Sequence, residues 1–447
     1  MAPRTSERNP YVDLLRVFSI GMVVLGHWML TSLTYSDGAF STANILGDVH
    51  WTQWFTLLFQ VIPLFFLAGG YSAAASWSAH LAAGGRAGEW LLSRAQRLLL
   101  PTALYVGVAT LAVLACLGLG VDVRTMSLAG WAVALQLWFL PVYLGLLLLT
   151  PALHAAHRRW GLAVPAVLGV LGVAVDAVVI EAHTTPLGWL NYLLVWGALY
   201  QVGFCWRDGL LGRPRLLLPA LGLGGALAYG LLVGVGPFPL CLIGVSGQRL
   251  DNTAPPSAAL LAFALAQTAV FVALEPPVER LLRRPRAVRT VTRANALVMI
   301  VYLWHMVPVL ILGAALYPTH AIAVPTPVDT EWWLLRIPWI AALTLLLAPL
   351  VAGAGALSAA LLARSNDRTG AGAGTRDSGG RPAPQPLLGL LPGTLLAGYA
   401  LYRFAIKGFA PDGQLPLTAL ACFAAGTALV LLCRPRVSGP ARTPDPP

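Results

Sequence analysis

The chain has 447 residues, of which 57% are hydrophobic and only 11% charged, less than half the ~25% charged fraction of soluble proteins. That composition excludes a water-soluble globule and fits an all-α polytopic integral membrane protein. The net charge of +11 would suit nucleic acid. The basic residues, however, lie mainly in short loops between apolar segments, which points to membrane topology instead.

Apolar segments fall at about 11–33, 52–78, 97–119, 131–153, 162–180, 186–204, 215–235, 257–279, 294–316, 333–363, 387–405 and 415–433. A bilayer span takes ~20 apolar residues, so twelve spans are predicted. The first is not a cleavable leader: its apolar run is too long, carries charge and is followed by no small-x-small site. Alternate loops test the orientation. Of the 29 basic residues, 23 fall on the side that holds the N-terminus, five on the other, and Arg16 within the first span. This asymmetry places both termini in the cytoplasm of a multi-pass protein of the cell membrane. The stretch 365–386, rich in Gly, Ala, Arg and Pro, has little to bury and reads as a flexible cytoplasmic linker. It separates a ten-helix body, 1–364, from a two-helix appendage with a short tail, 387–447.

Charge inside a span is costly, at least ~2.5–3.5 kcal/mol near the bilayer centre, so it marks a candidate site. The first segment carries Asp13, Arg16 and His27. At ~100° and ~1.5 Å per residue, Arg16 and His27 share one helix face about 16 Å apart. Asp13 lies three residues before Arg16, the spacing of an ion pair on a helix. An ion pair at the membrane rim explains those two as well as catalysis does. His27 lies deep with no acidic residue near it in sequence, and reads as catalytic or proton-handling.

The second segment contains Gly69-Gly70, which allows a neighbouring backbone to approach closely. Arg94 and Arg97 follow, three apart at the inner membrane face. They form either a phosphate clamp or an ordinary positive-inside pair. Gln60, Gln136 and Gln201 are read as bonding across helices, Asp176 and Glu181 as interfacial, and Glu275 as a partner for the nearby arginines. His305, about eleven residues into the ninth segment, is a further candidate. The sequence shows no Gly-x-Ser-x-Gly, no cysteine beside a histidine, no P-loop and no metal-ligand spacing. The five cysteines show no paired spacing, so no disulfide is expected.

In this order, Arg16 and His27 with ten residues between them, Phe65 to Tyr71, Arg94-x-x-Arg97 running into Pro101, Leu137-Trp138-Phe139-Leu140 and Tyr302-Leu303-Trp304-His305 resemble acyltransferase family 3 of integral membrane O-acyltransferases. The resemblance covers about residues 8–364. The Phe65-to-Tyr71 stretch matches Phe-Phe-x-x-Ser-Gly-Tyr except that Gly69 stands for the serine, which excludes a serine nucleophile there. The resemblance implies transfer of an acyl group, commonly acetyl from acetyl-CoA, to a hydroxyl of a sugar, a lipid-linked glycan or a small natural product. His27 is then the general base, with Arg16, Asp13 and His305 as further catalytic candidates. Arg94 and Arg97 hold the phosphates of acyl-CoA, and no metal is required. The partners expected are the bilayer, the donor and the hydroxyl acceptor; nucleic acid is not among them. The arginine-for-lysine bias suggests a GC-rich bacterial genome. The rival reading is a proton-coupled secondary transporter, which also uses twelve spans and buried Asp, Arg and His. Against it, the linker follows the tenth span rather than the sixth, and no repeat is visible.

Overall fold

The first helix begins where its cap dictates. The Asn9 side chain accepts from the backbone N–H groups of Tyr11 and Val12, and Pro10 occupies the first turn, where its missing N–H costs nothing. The computed structural model describes residues 8–182, 185–212, 214–245, 248, 250–319, 329–370 and 388–433. Within them run α1 (Pro10–Leu30), α2 (Ile62–Ala82), α3 (Ala87–Gly118), α4 (Val123–Ala132), α5 (Phe139–Trp160), α6 (Ala163–Ala182), α7 (Asn191–Arg207) and α8 (Leu217–Gly234). There follow α9 (Ala258–Ala273), α10 (Glu275–Leu282), α11 (Pro285–Trp304), α12 (Val307–Leu316), α13 (Thr330–Gly370), α14 (Leu390–Lys407) and α15 (Leu417–Leu432). A hairpin, β1 (Leu33–Ser36) with β2 (Ala39–Thr42), is the one sheet among the described residues.

Each of the twelve predicted segments holds a helix. Seven are long and apolar enough to cross a membrane, and the count is nine if each bent pair is one span. The α9–α10 pair bends by 46° where Glu275 is followed by two prolines; α11–α12 bends by 48°. The remaining three, α7, α14 and α15, fall short of that test, α7 and α15 with only 17 and 16 residues. Residues 365–370, read as the start of the linker, belong instead to α13, which continues through Gly370; the rest of the predicted linker lies outside the described residues.

The centre of the bundle is α2, packed against α7 and α1. Small residues permit this. A Cβ on Gly70 would strike the Tyr200 carbonyl, and one on Gly203 would lie 2.7 Å from the Tyr71 nitrogen. The two helices therefore touch backbone to backbone, as the Gly-Gly pair suggested. At the end where α1 starts, Asn9 donates to Tyr71 Oη (3.2 Å) and Glu275 Oε1 (3.1 Å), and Trp206 Nε1 donates to Glu275 Oε2 (2.8 Å). Glu275 thus ties the cap of α1, which also holds Tyr71 of α2, to α7. Asp176 also departs from expectation. It is buried, accepting from Asn191 Nδ2 (2.8 Å) and from the Ala258 N–H (2.5 Å), and so fixes the starts of α7 and α9 against α6.

The appended helices are not remote from the body. Leu401, Phe404 and Phe409 are fully buried. The Phe409 N–H donates to the Gly130 carbonyl (3.1 Å), and Gln96 of α3 donates to the carbonyl of Val430 in α15 (3.2 Å). α14 packs along α5 and along the turn Leu135–Trp138 that precedes it.

Candidate active site

The break between α11 and α12 puts non-helical backbone deep in the bundle, which membrane proteins tolerate where it is enclosed by protein or lines a cavity. His305 is the residue at that break. It is wholly buried, and its Nε2 lies 2.7 Å from Nδ1 of His27, with the rings stacked 5.0 Å apart at 22°. On its other side, His305 Nδ1 lies 2.7 Å from the Tyr302 carbonyl. A carbonyl only accepts. In a pair of neutral rings His305 therefore carries its proton on Nδ1 and offers a lone pair at Nε2. His27 must then donate from Nδ1, which leaves its own Nε2 unprotonated.

The surroundings hold this chain of bonds in place. Trp28 Nε1 donates to the His305 carbonyl (2.8 Å). Tyr302 Oη donates to the Gln136 carbonyl (2.7 Å), and the Gln136 amide nitrogen donates to the carbonyls of Leu303 (3.0 Å) and Val133 (2.8 Å). Those two carbonyls fix the orientation of the Gln136 amide, and its Oε1 is left without a hydrogen-bond partner. Beyond the end of α1, Arg336 donates to the Thr31 carbonyl (3.0 Å) and lies over the Trp332 ring at 3.7 Å. The histidine thus sits on a helix clamped at both ends.

His27 and Gln136 line a cavity of about 880 Å³, which Tyr302, Trp138, Tyr192 and Asp251 also border. His305 stands behind His27, away from the cavity.

A second constellation lies about 16 Å along α1, at ~1.5 Å per residue. Arg16 donates to Tyr143 Oη (3.4 Å) and lies 5.8 Å from the Phe65 ring. Arg94 stands over Trp90 at 5.6 Å and within electrostatic reach of Arg97, Arg16, Tyr143 and Tyr200. The Nε atoms of Arg16 and Arg94 are buried without partners, an arrangement that suits an anion with several acceptor oxygens. Arg97 is exposed at the membrane edge. Between the constellations Phe65, Phe139 and Tyr302 stack edge to face, 4.9 and 5.7 Å apart. They leave a void of about 10 Å³.

Asp13 belongs to neither group. Its carboxylate takes Arg8 and Asn295 Nδ2 (2.8 Å), so the ion pair expected with Arg16 does not form. Arg8 reaches it from outside the helix, while Arg16 turns inward to Tyr143. Gly69 faces the same tyrosine; a Cβ there would lie 3.0 Å from its ring. The structure also places Cys205 Sγ 3.8 Å from His157 Nδ1, with Asp208 Oδ2 3.0 Å from His157 Nε2. Sequence spacing concealed this neighbourhood. Cys205 is fully buried and borders neither cavity, so nothing reaches it to react. Sequence reasoning overlooked Tyr143 and gave Gln136 no part in the site; the only signal was their place, Gln136 immediately before and Tyr143 one turn beyond the Leu137–Leu140 motif.

Neither a curated protein nor a solved structure matches the chain. The model of a family described as an acyltransferase domain matches residues 9–359, from the cap of α1 into α13. With the histidine pair, the arginine constellation and their motifs inside that span, this chain is a membrane-embedded acyltransferase and belongs to acyltransferase family 3.

Proposed function

We propose that the protein transfers an acyl group, acetyl foremost, from acyl-CoA to a hydroxyl of a carbohydrate, a glycolipid or a small natural product. The observation that carries this reading is the bond sequence Tyr302 carbonyl, His305, His27, which leaves a free lone pair on His27 at the cavity wall. A base so placed takes the proton of an acceptor hydroxyl. The alkoxide oxygen attacks the thioester carbonyl, the C–S bond breaks, and the CoA thiolate takes the proton back from His27. Products are an ester and free CoA. While His27 is protonated, His305 Nε2 receives a hydrogen bond from a cation, which is stronger than one from a neutral ring. His305 is thus a positioning residue that acts through His27.

Arg16, Arg94 and Arg97 hold the phosphates of CoA at the end where α1 begins. The basic-residue bias makes that end cytoplasmic. The pantetheine arm then runs along α1 past Phe65, Phe139 and Tyr302, which must turn aside to admit it. Asp13 takes no part; its bonds to Arg8 and Asn295 give it a structural role.

The reaction class is tested with radiolabelled acetyl-CoA and native-cell extracts in inside-out vesicles. Equal amounts of released CoA and base-labile label in an acceptor support ester formation. Proton-driven solute uptake without CoA release would favour a transporter.

A further inference from the structure

The family's domain ends at residue 359, yet the cavity at His27 does not close within it. One wall is α14, outside the match, through Thr394, Leu395, Gly398, Tyr399 and Tyr402. The facing wall is Pro141, Leu144, Gly145 and Leu148 of α5, with Leu193 of α7 and Trp189 just before it. From Thr394 to Tyr402 the α14 wall runs about 12 Å at ~1.5 Å per residue, so the space is a groove. Its polarity is one-sided. His27 and Gln136 lie at the catalytic end, and Asp251 in a loop within reach of Tyr192. On α14 the Tyr399 hydroxyl takes Arg403 Nη1 at 2.8 Å; from Gly398 down to Thr394 the lining is hydrocarbon, the Thr394 hydroxyl being spent on the Leu390 carbonyl at 2.7 Å. Leu395 and Tyr399 remain 59% and 44% exposed on a surface that the composition assigns to lipid.

A groove with polar groups at one end and hydrocarbon along its length, open toward the bilayer, suits an amphipathic molecule. Resting on the O-acyltransfer reading, we propose that the acceptor is lipid-anchored and that α14 forms the wall that holds its hydrocarbon. Its hydroxyl then meets His27 Nε2, while the chain lies between α5 and α14. The donor does not need this space, because its acyl carbon arrives at His27 from the arginine side. The appended pair α14–α15 thereby sets which acceptor the shared machinery uses.

The wall can be filled. A Cβ on Gly398 meets only Pro141 Cβ at 3.8 Å, so a large side chain there projects into the groove. Gly398→Trp and Leu395→Trp are compared with Leu391→Trp, which is exposed on the same helix but does not line the groove. Two variants guard against one failing to fold, which size-exclusion chromatography reports. Full-length protein in nanodiscs receives radiolabelled acetyl-CoA with either the organic-soluble or the water-soluble fraction of native cells. The expected result is label in the organic-soluble fraction, reduced at least about tenfold, or ~1.4 kcal/mol, by the two groove variants and unchanged by Leu391→Trp. Label confined to the water-soluble fraction, or equal labelling by all variants, overturns the inference but leaves the acyltransfer reading standing. A groove variant that instead alters the choice between acetyl-CoA and octanoyl-CoA assigns the wall to the donor chain and also overturns it. Absence of CoA release by wild type with either fraction overturns the parent reading, and this one with it.

Discussion

Replacing His305 tests the chain of hydrogen bonds without touching the atom that meets substrate. In His305→Ala, the His27 Nδ1–H loses its acceptor at 2.7 Å and the Tyr302 carbonyl its donor. A hydrogen bond to a charged group contributes ~1.5–3 kcal/mol. The charge on His27 exists only once the hydroxyl proton has moved. The loss therefore falls on the transition state, and kcat drops about 10- to 150-fold at 1.36 kcal/mol per decade. KM for acyl-CoA stays the same, since the arginine constellation is about 16 Å away along α1. His305→Gln, whose amide oxygen can accept from His27, recovers part of kcat. The assay is steady-state CoA release by purified protein in nanodiscs, with thermal melting of each variant measured alongside. An unchanged kcat in His305→Ala would refute the relay. So would equal loss in the Ala and Gln variants with intact melting curves.

Other outcomes follow from the same geometry. Arg16→Gln or Arg94→Gln raises KM for acetyl-CoA by about 10- to 150-fold, the worth of ~1.5–3 kcal/mol, and leaves that for S-acetyl-pantetheine, which lacks the nucleotide phosphates, unchanged; equal effects on both donors would remove the phosphate role. Gly70→Ala lowers the melting temperature, because its Cβ meets the Tyr200 carbonyl and overpacking costs ~1–3 kcal/mol. Gly21→Ala, which meets nothing within 4 Å, is the control and does not lower it. Just past α7, His157 and then Arg207 hold the Asp208 carboxyl below the usual carboxylate range. Its stabilising effect is complete above the unfolded pKa of about 4 and is lost as pH falls through the lower folded value. Asp208→Asn thus flattens the acid limb of the melting curve, and parallel limbs for both proteins would contradict this.

Much of the fold was legible because a bilayer makes hydropathy a strong signal: each of the twelve predicted segments holds a helix. Breaks within spans were less visible. Glu275-Pro276-Pro277 announces one; the bend at His305 has only the single Pro308 behind it, and lone prolines elsewhere, such as Pro101 and Pro151, sit inside continuous helices. The site was legible as a set of residue types at given depths, since buried charge is rare in lipid. Partners were not. Arg16 and Asp13 have the spacing of an ion pair, yet Arg8 and Asn295 claim the carboxylate and Tyr143 takes the guanidinium. The bond between His27 and His305 spans 278 residues, beyond any local pattern. The appendage looked separate because a polar stretch precedes it. Its docking rests on Leu401, Phe404 and Phe409 filling space against the body, and hydropathy does not distinguish a lipid-facing leucine from a packed one.

The most direct test is single-turnover CoA release by His27→Ala and wild-type protein, with acetyl-CoA binding measured on the same samples. The account predicts equal binding and a rate about 10²- to 10⁴-fold lower in the variant, the usual worth of a general base. Release at the wild-type rate with unimpaired binding would contradict it and remove His27 from the chemistry.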